Sequence, residues 1–111
     1  GVTHIVRGAD ILDSTPRQNY LYQCFNQSAP LYFHLPLVVN NQGDKLSKSK
    51  LSPAIQPHQA SIWLIKALQH LEQKVEPEWA EATPNEILQS ALQNWSINKI
   101  GKVAKQYDEL N

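Results

Sequence analysis

The chain has no methionine, one cysteine, four glycines and no excess of either charge, ten Lys plus Arg standing against ten Asp plus Glu in 111 residues. One cysteine cannot close an internal disulfide or build a zinc cluster, and an unpaired thiol fits a reducing, cytoplasmic setting. A formal net charge of +0 excludes a generally basic nucleic-acid coat, so contact with a polyanion must come from a local cluster. The longest apolar stretches, Leu35–Val39 and Ile62–Ile65, are far too short to cross a bilayer, and no membrane partner is expected. No charged leader ahead of an apolar run opens the chain, so no secretory signal is expected. Without a methionine, and with Gly1–Val6 already reading as a strand, the chain is expected to be part of a longer one.

What is present is globular material. Hydrophobic residues at 41% and charged residues at 18% argue against wholesale disorder and for one domain, or a piece of one, with a modest core. Val2–Val6 is rich in β-branched residues and stops at Arg7-Gly8, which predicts a strand and a turn. Thr15-Pro16-Arg17-Gln18 has the form of a capping box with proline at the first helical position. The predicted helix runs over 16–25 and buries Leu21, Cys24 and Phe25 on one stripe. Leu31–Val39 is a second apolar run, demoted to an irregular or edge strand by Pro36. Asn40–Asp44 reads as a turn.

Beyond Pro57 the period becomes helical, with Ala60, Leu64, Ala67, Leu68 and Leu71 on one face. Thr83-Pro84-Asn85-Glu86 repeats the capping-box signature and predicts a helix burying Ile87, Leu88, Ala91 and Leu92, with Trp95 at its end. Residues 72–82 read as a polar, acidic connection, and 101–111 as a frayed helix or tail. The first half is thus strand–helix–strand and the second helical, an α/β chain with its boundary placed between 1–44 and 45–111.

Two places carry chemistry. Lys45-Leu46-Ser47-Lys48-Ser49, followed by Lys50, sets three ammonium groups and two hydroxyls just after a glycine-containing turn. Such a loop can fold over a polyphosphate, and ammonium groups there stabilise the charge that builds during displacement at phosphorus. On composition alone a solvated surface loop is the favoured reading. Arg7 follows the first strand, at the carboxyl end where open α/β sheets bind ligands, and its guanidinium suits bidentate capture of a carboxylate. The alternative is an ion pair with Asp10 or Asp13, Asp10 then fixing the turn. His34 reads as a satisfied core histidine, and Tyr20 and Tyr22 include at least one core residue. Trp63, Trp79 and Trp95 read as packing residues, and Cys24 as a small buried hydrophobe.

Lys-Leu-Ser-Lys-Ser resembles the KMSKS signature of class I aminoacyl-tRNA synthetases, with Leu46 in place of the usual Met. The segments 2–10 (VTHIVRGAD), 14–18 (STPRQ) and 34–40 (HLPLVVN) resemble, in order and spacing, the glutamate-specific branch of that class. Ser-Pro-Ala-Ile (52–55), residues 86–95 and Ser49, where full glutamyl-tRNA synthetases commonly have Arg, look more like the short paralogues of that branch, the glutamyl-queuosine tRNA(Asp) synthetases. A full synthetase would continue into a long anticodon-binding region, whereas only residues 50–111 follow the signature here.

The resemblance implies the carboxyl-terminal part of a Rossmann-like catalytic domain followed by a small helical subdomain. It implies an enzyme that uses ATP, with Mg, to activate glutamate, releasing pyrophosphate, and passes the glutamyl group to queuosine in tRNA(Asp). It implies that Lys48 acts on ATP as the catalytic lysine, that Lys45, Leu46, Ser47 and Ser49 complete the ATP-binding segment, and that Arg7 belongs to the glutamate pocket. The attacking carboxylate is already ionised, so activation needs no general base. The family's second signature, His-Ile-Gly-His, is not in this sequence, and a zinc site would have ligands upstream of Gly1, no metal ligand being assigned within the chain. The chain alone is therefore expected to be inert, with an open sheet edge covered by an N-terminal half or another copy. A non-catalytic RNA-binding module that keeps synthetase-like segments is the rival, and neutral charge argues against it.

Overall fold

A computed structural model describes residues 1–40, 42–46, 55–101 and 105–106. Strand β1 (His4–Gly8) pairs in parallel with β2 (Leu31–Leu35), in the register Ile5↔Tyr32, Arg7↔His34 and Gly8↔Leu35. A 3-10 segment, Ala9–Ser14, and helix α1 (Thr15–Cys24) make the crossover between them. The first strand therefore begins and ends two residues later than its β-branched run predicts. A strand's extent is set by its ladder, and pairing with His34 and Leu35 keeps Arg7 and Gly8 inside it. Gly8 is required by a close approach: a Cβ there would stand 2.6 Å from Asp10 Oδ1 and 3.1 Å from Leu37 Cδ2.

Helix α1 departs from expectation in what it buries. Leu21, Cys24 and Phe25 are all exposed, Phe25 to 72%. None of the helix's residues is fully buried, Tyr22 being half-buried and Tyr20 exposed, so neither tyrosine joins the core. The predicted capping box is also absent. Ser14 is the N-cap and no side chain bonds there, because Thr15 and Gln18 point their oxygens at Arg7 instead. With the apolar stripe of α1 open to solvent and Leu31 68% exposed, this layer offers apolar surface that the described residues do not cover.

After Pro36 the chain forms a short strand β3 (Val38–Val39), which pairs in parallel with β4 (Lys105–Gln106). That pairing corrects the reading of 101–111 as a helix or tail at those two positions. The predicted turn at 40–44 is present. Asn40 Oδ1 accepts from the backbone N–H of Gln42 (3.0 Å) and Asp44 (2.9 Å), and Gly43 takes φ +84°, a conformation that favours glycine. Lys45 then bridges back to Val39.

The second half is a small helical unit. Helices α2 (Ala60–His70) and α3 (Pro84–Gln93) pack around Leu68, Trp79, Ile87 and Ala91, with Leu64, Ile65, Val75 and Ala82 against them. Ile87 is fully buried. Leu88 and Leu92, expected inside, are exposed. They lie about 100° round the helix from Ile87 and Ala91, beyond the one strip that meets α2. Trp95 is likewise exposed, whereas Trp79, from the stretch read as a polar connection, is a core residue. Buried Gln73 ties the unit together, donating to the Leu71 and Ser96 carbonyls at 2.8 and 3.0 Å and accepting from the Ser96 N–H at 2.8 Å. Buried His70 donates from Nε2 to the Pro36 carbonyl at 3.1 Å, joining α2 to the β2–β3 connection. Among the described residues no helix is long and apolar enough to cross a membrane.

The second capping box is present as predicted: Thr83 Oγ1 accepts from the Glu86 N–H, and the Glu86 carboxylate accepts from the Thr83 N–H and hydroxyl at 2.8 and 2.7 Å. These bonds favour the ionised carboxylate, holding Glu86 below its ordinary value. A depressed folded-state pKa stabilises the fold above the carboxyl's ordinary titration range, and that contribution fades as pH falls through the depressed value. Thr83→Ala removes the hydroxyl's bonds and is expected to lower stability at neutral pH, as loss of an N-cap does. The deficit should narrow below about pH 4, and urea unfolding of the full-length protein at several pH values checks both statements.

Candidate active site

The parallel register places Arg7, Ile5, Tyr32 and His34 on one face of the β1–β2 pair. The amino-terminal turn of α1 lies over that face. Half-buried Arg7 is held on three sides. Its Nε donates to His34 Nε2 at 3.1 Å, Nη1 to Gln18 Oε1 at 2.7 Å, and Nη2 to Thr15 Oγ1 at 2.7 Å. The guanidinium carbon stands 4.7 Å from the centroid of the Tyr32 ring, which stacks at 6.1 Å on His34. Thr15 Oγ1 also lies 3.2 Å from His34 Nε2, closing the cluster.

Every one of these partners is neutral. Among the described residues no carboxylate ion-pairs with Arg7, so the alternative of an Arg7–Asp10 or Arg7–Asp13 bridge is not formed. Asp10 is drawn instead to Lys45, whose Nζ lies 2.7 Å from Asp10 Oδ2. The lysine that opens the Lys-Leu-Ser-Lys-Ser segment is thus anchored to the 3-10 segment that follows β1, three positions from Arg7. Leu46 is half-buried and, with Ile55 and Trp63, lines an apolar cavity of about 340 Å³. Ser47, Lys48 and Ser49 lie outside the described residues. A second cavity, of about 500 Å³, reaches the Arg7 cluster through Tyr32 and His34.

Sequence reasoning found Arg7 but not its setting. In the sequence Thr15 and Gln18 carry the pattern of helix caps and His34 that of a core residue. The signal that unites them is register: His34 is Arg7's cross-strand partner only once β1 and β2 are known to be parallel. Cys24 is a free, exposed thiol. Among the described residues no three His, Cys, Asp or Glu side chains are placed to hold a metal ion.

A family model for the catalytic domain of class I tRNA synthetases (E and Q) matches residues 1–96. The chain belongs to this class I synthetase family. It is 47% identical over 102 residues to the glutamyl-Q tRNA(Asp) synthetase of Pseudomonas putida (strain W619), covering 92% of the chain and 35% of that protein. The enzyme of the same name from Escherichia coli (strain K12) is 46% identical over 104 residues, covering 94% and 34%. That from Pseudomonas putida (strain GB-1) is 50% identical over 102 residues, covering 92% and 35%. The chain spans about a third of the length of the curated relatives it matches. Within the class I fold this third contains the two parallel strands, the Arg7 cluster and the helical unit.

Proposed function

We propose that this chain is part of an ATP-dependent ligase that activates glutamate as glutamyl-adenylate and transfers it to queuosine in the anticodon of tRNA(Asp). The observation that carries the reading is the Arg7 guanidinium, fixed by His34, Gln18 and Thr15 while its charge meets no carboxylate among the described residues. A fixed cation with neutral acceptors behind it is complementary to an anionic ligand, and its remaining N–H donors suit a carboxylate. The α-carboxylate of glutamate must stay free to attack the α-phosphorus of ATP, so Arg7 takes the side-chain carboxylate. As the new P–O bond forms, the bond to pyrophosphate breaks and negative charge gathers on the leaving oxygens. Lys48 supplies an ammonium group to that charge, and Lys45, Leu46, Ser47 and Ser49 shape the segment around ATP, which binds with Mg. The Lys45–Asp10 bridge supports this arrangement, because it brings the base of the segment to the carboxyl end of β1, beside the amino-acid site.

In this reading β1 and β2 are the last strands of a Rossmann-like sheet, and an N-terminal half carries the other ATP-binding signature, the zinc site and the cover for the exposed apolar surface. The names of the relatives and Ser49 favour the queuosine enzyme over a conventional glutamyl-tRNA synthetase. The test supplies the full-length enzyme with ATP, labelled glutamate, and tRNA(Asp) with or without queuosine, and nuclease digestion then locates the label. Label on the modified anticodon nucleoside, and only in queuosine-bearing tRNA, is expected. Label on the 3′-terminal adenosine of tRNA lacking queuosine would establish the conventional enzyme instead.

A further inference from the structure

We infer that His34 is a positioning residue whose ring nitrogen, as acceptor, locks the Arg7 fork for glutamate; the inference rests on the reading of Arg7 given above. An arginine Nε carries a hydrogen and no lone pair, so across the 3.1 Å contact it can only donate, and His34 Nε2 must accept. The proton of the ring is then on Nδ1. The Thr15 hydroxyl, having accepted from Arg7 Nη2, directs its own hydrogen to the same His34 nitrogen at 3.2 Å. The whole cluster is consistent only with an unprotonated Nε2.

An imidazolium would set an N–H against the Arg7 N–H and a second positive charge beside the guanidinium. Among the described residues, the groups that face His34 offer nothing to offset this. From β1 comes Arg7, a cation; from its own strand comes Tyr32, and from α1 the neutral Thr15. The 3-10 segment Ala9–Ser14 brings Ala9 and Leu12 to the adjoining cavity, its Asp10 being engaged by Lys45, and the segment Ile97–Lys99 brings Ile97 and Asn98. The ring therefore serves Arg7 as a fixed acceptor, and a side chain without an acceptor at this place frees the guanidinium.

The experiment measures glutamate binding to the full-length enzyme by calorimetry at pH 7.5, for wild type, His34→Gln, His34→Phe and Arg7→Ala, with thermal unfolding of each variant alongside. His34→Gln offers Nε of Arg7 an amide oxygen and should bind near the wild-type level. His34→Phe, which offers no acceptor, should bind about tenfold or more weakly while unfolding like wild type. The inference is overturned if His34→Gln binds as weakly as His34→Phe, or if His34→Phe binds as wild type does. Undiminished binding in Arg7→Ala would remove the underlying reading of the glutamate site, whereas weak binding there beside a wild-type-like His34→Phe would remove the role of His34 alone.

Discussion

Alanine at position 7 is expected to weaken glutamate binding in the full-length enzyme by about 2–5 kcal/mol, while the KM for ATP stays within about twofold of wild type. The size follows from the setting of the guanidinium. It is half-buried, and its Nε, Nη1 and Nη2 are each fixed by a neutral acceptor. The entropy of ordering a long side chain is thus met by the fold before the ligand arrives. Removing it deletes the charge that meets the carboxylate and leaves Gln18, Thr15 and His34 without their common donor. Arg7→Lys should recover little, since one ammonium group cannot serve three acceptors in a plane and still present a fork to a carboxylate. ATP is spared because the anchor of the Lys-Leu-Ser-Lys-Ser segment runs through Asp10 and Lys45, not through Arg7. Steady-state pyrophosphate exchange, with glutamate and ATP varied in turn, reads both constants. An unchanged glutamate KM, or equal losses for glutamate and ATP in a variant that unfolds like wild type, would show that Arg7 does not hold the amino acid.

What could be read from the residues follows a physical division. Signals carried by neighbours in sequence survived: the turn of Asn40 and Gly43, the capping box of Thr83 and Glu86, and the Ile87–Ala91 strip on α3. Signals that depend on what lies across space did not. Thr15 and Gln18 carry the spacing of a capping box as faithfully as Thr83 and Glu86 do, yet a cation from β1 takes both oxygens. A guanidinium is a stronger donor than a backbone N–H that solvent can also satisfy, so tertiary contact overrides the local pattern. The stripe of Leu21, Cys24 and Phe25 has helical periodicity but no covering layer among the described residues, consistent with a chain that spans about a third of its relatives. Trp79 reads as a packing residue and is one, although Pro77 and the surrounding Glu76, Glu78 and Glu81 give its stretch the look of a polar connection. Composition marks that stretch as solvent-facing, whereas one indole in a 3-10 turn fills the gap between two helices. The proposed glutamate site was legible at Arg7 through its position at a strand end, and illegible at His34 until the register was known.

Alanine at Lys48 should slow glutamyl-adenylate formation by two to three orders of magnitude, about 2.7–4 kcal/mol in the barrier, with glutamate affinity unaffected. Lys48 lies outside the described residues, so the expectation rests on chemistry and on the anchoring of its segment. Charge accumulates on the pyrophosphate oxygens as the bond to the α-phosphorus breaks. An ammonium group held there acts on the transition state more than on bound ATP, and its loss falls mainly on the rate. Lys45 provides the internal contrast. Its Nζ is on Asp10, with both side chains about a third exposed, and a pair of that kind contributes at most about 1 kcal/mol. Lys45→Ala should therefore slow activation by less than about tenfold, by loosening the base of the segment and not by stripping charge from the reacting phosphate. Single-turnover formation of glutamyl-adenylate in the two full-length variants separates these roles. Equal defects would mean that both lysines reach the phosphates and that the Asp10 bridge is broken during turnover. A near-normal rate in Lys48→Ala would remove the segment from the chemistry altogether.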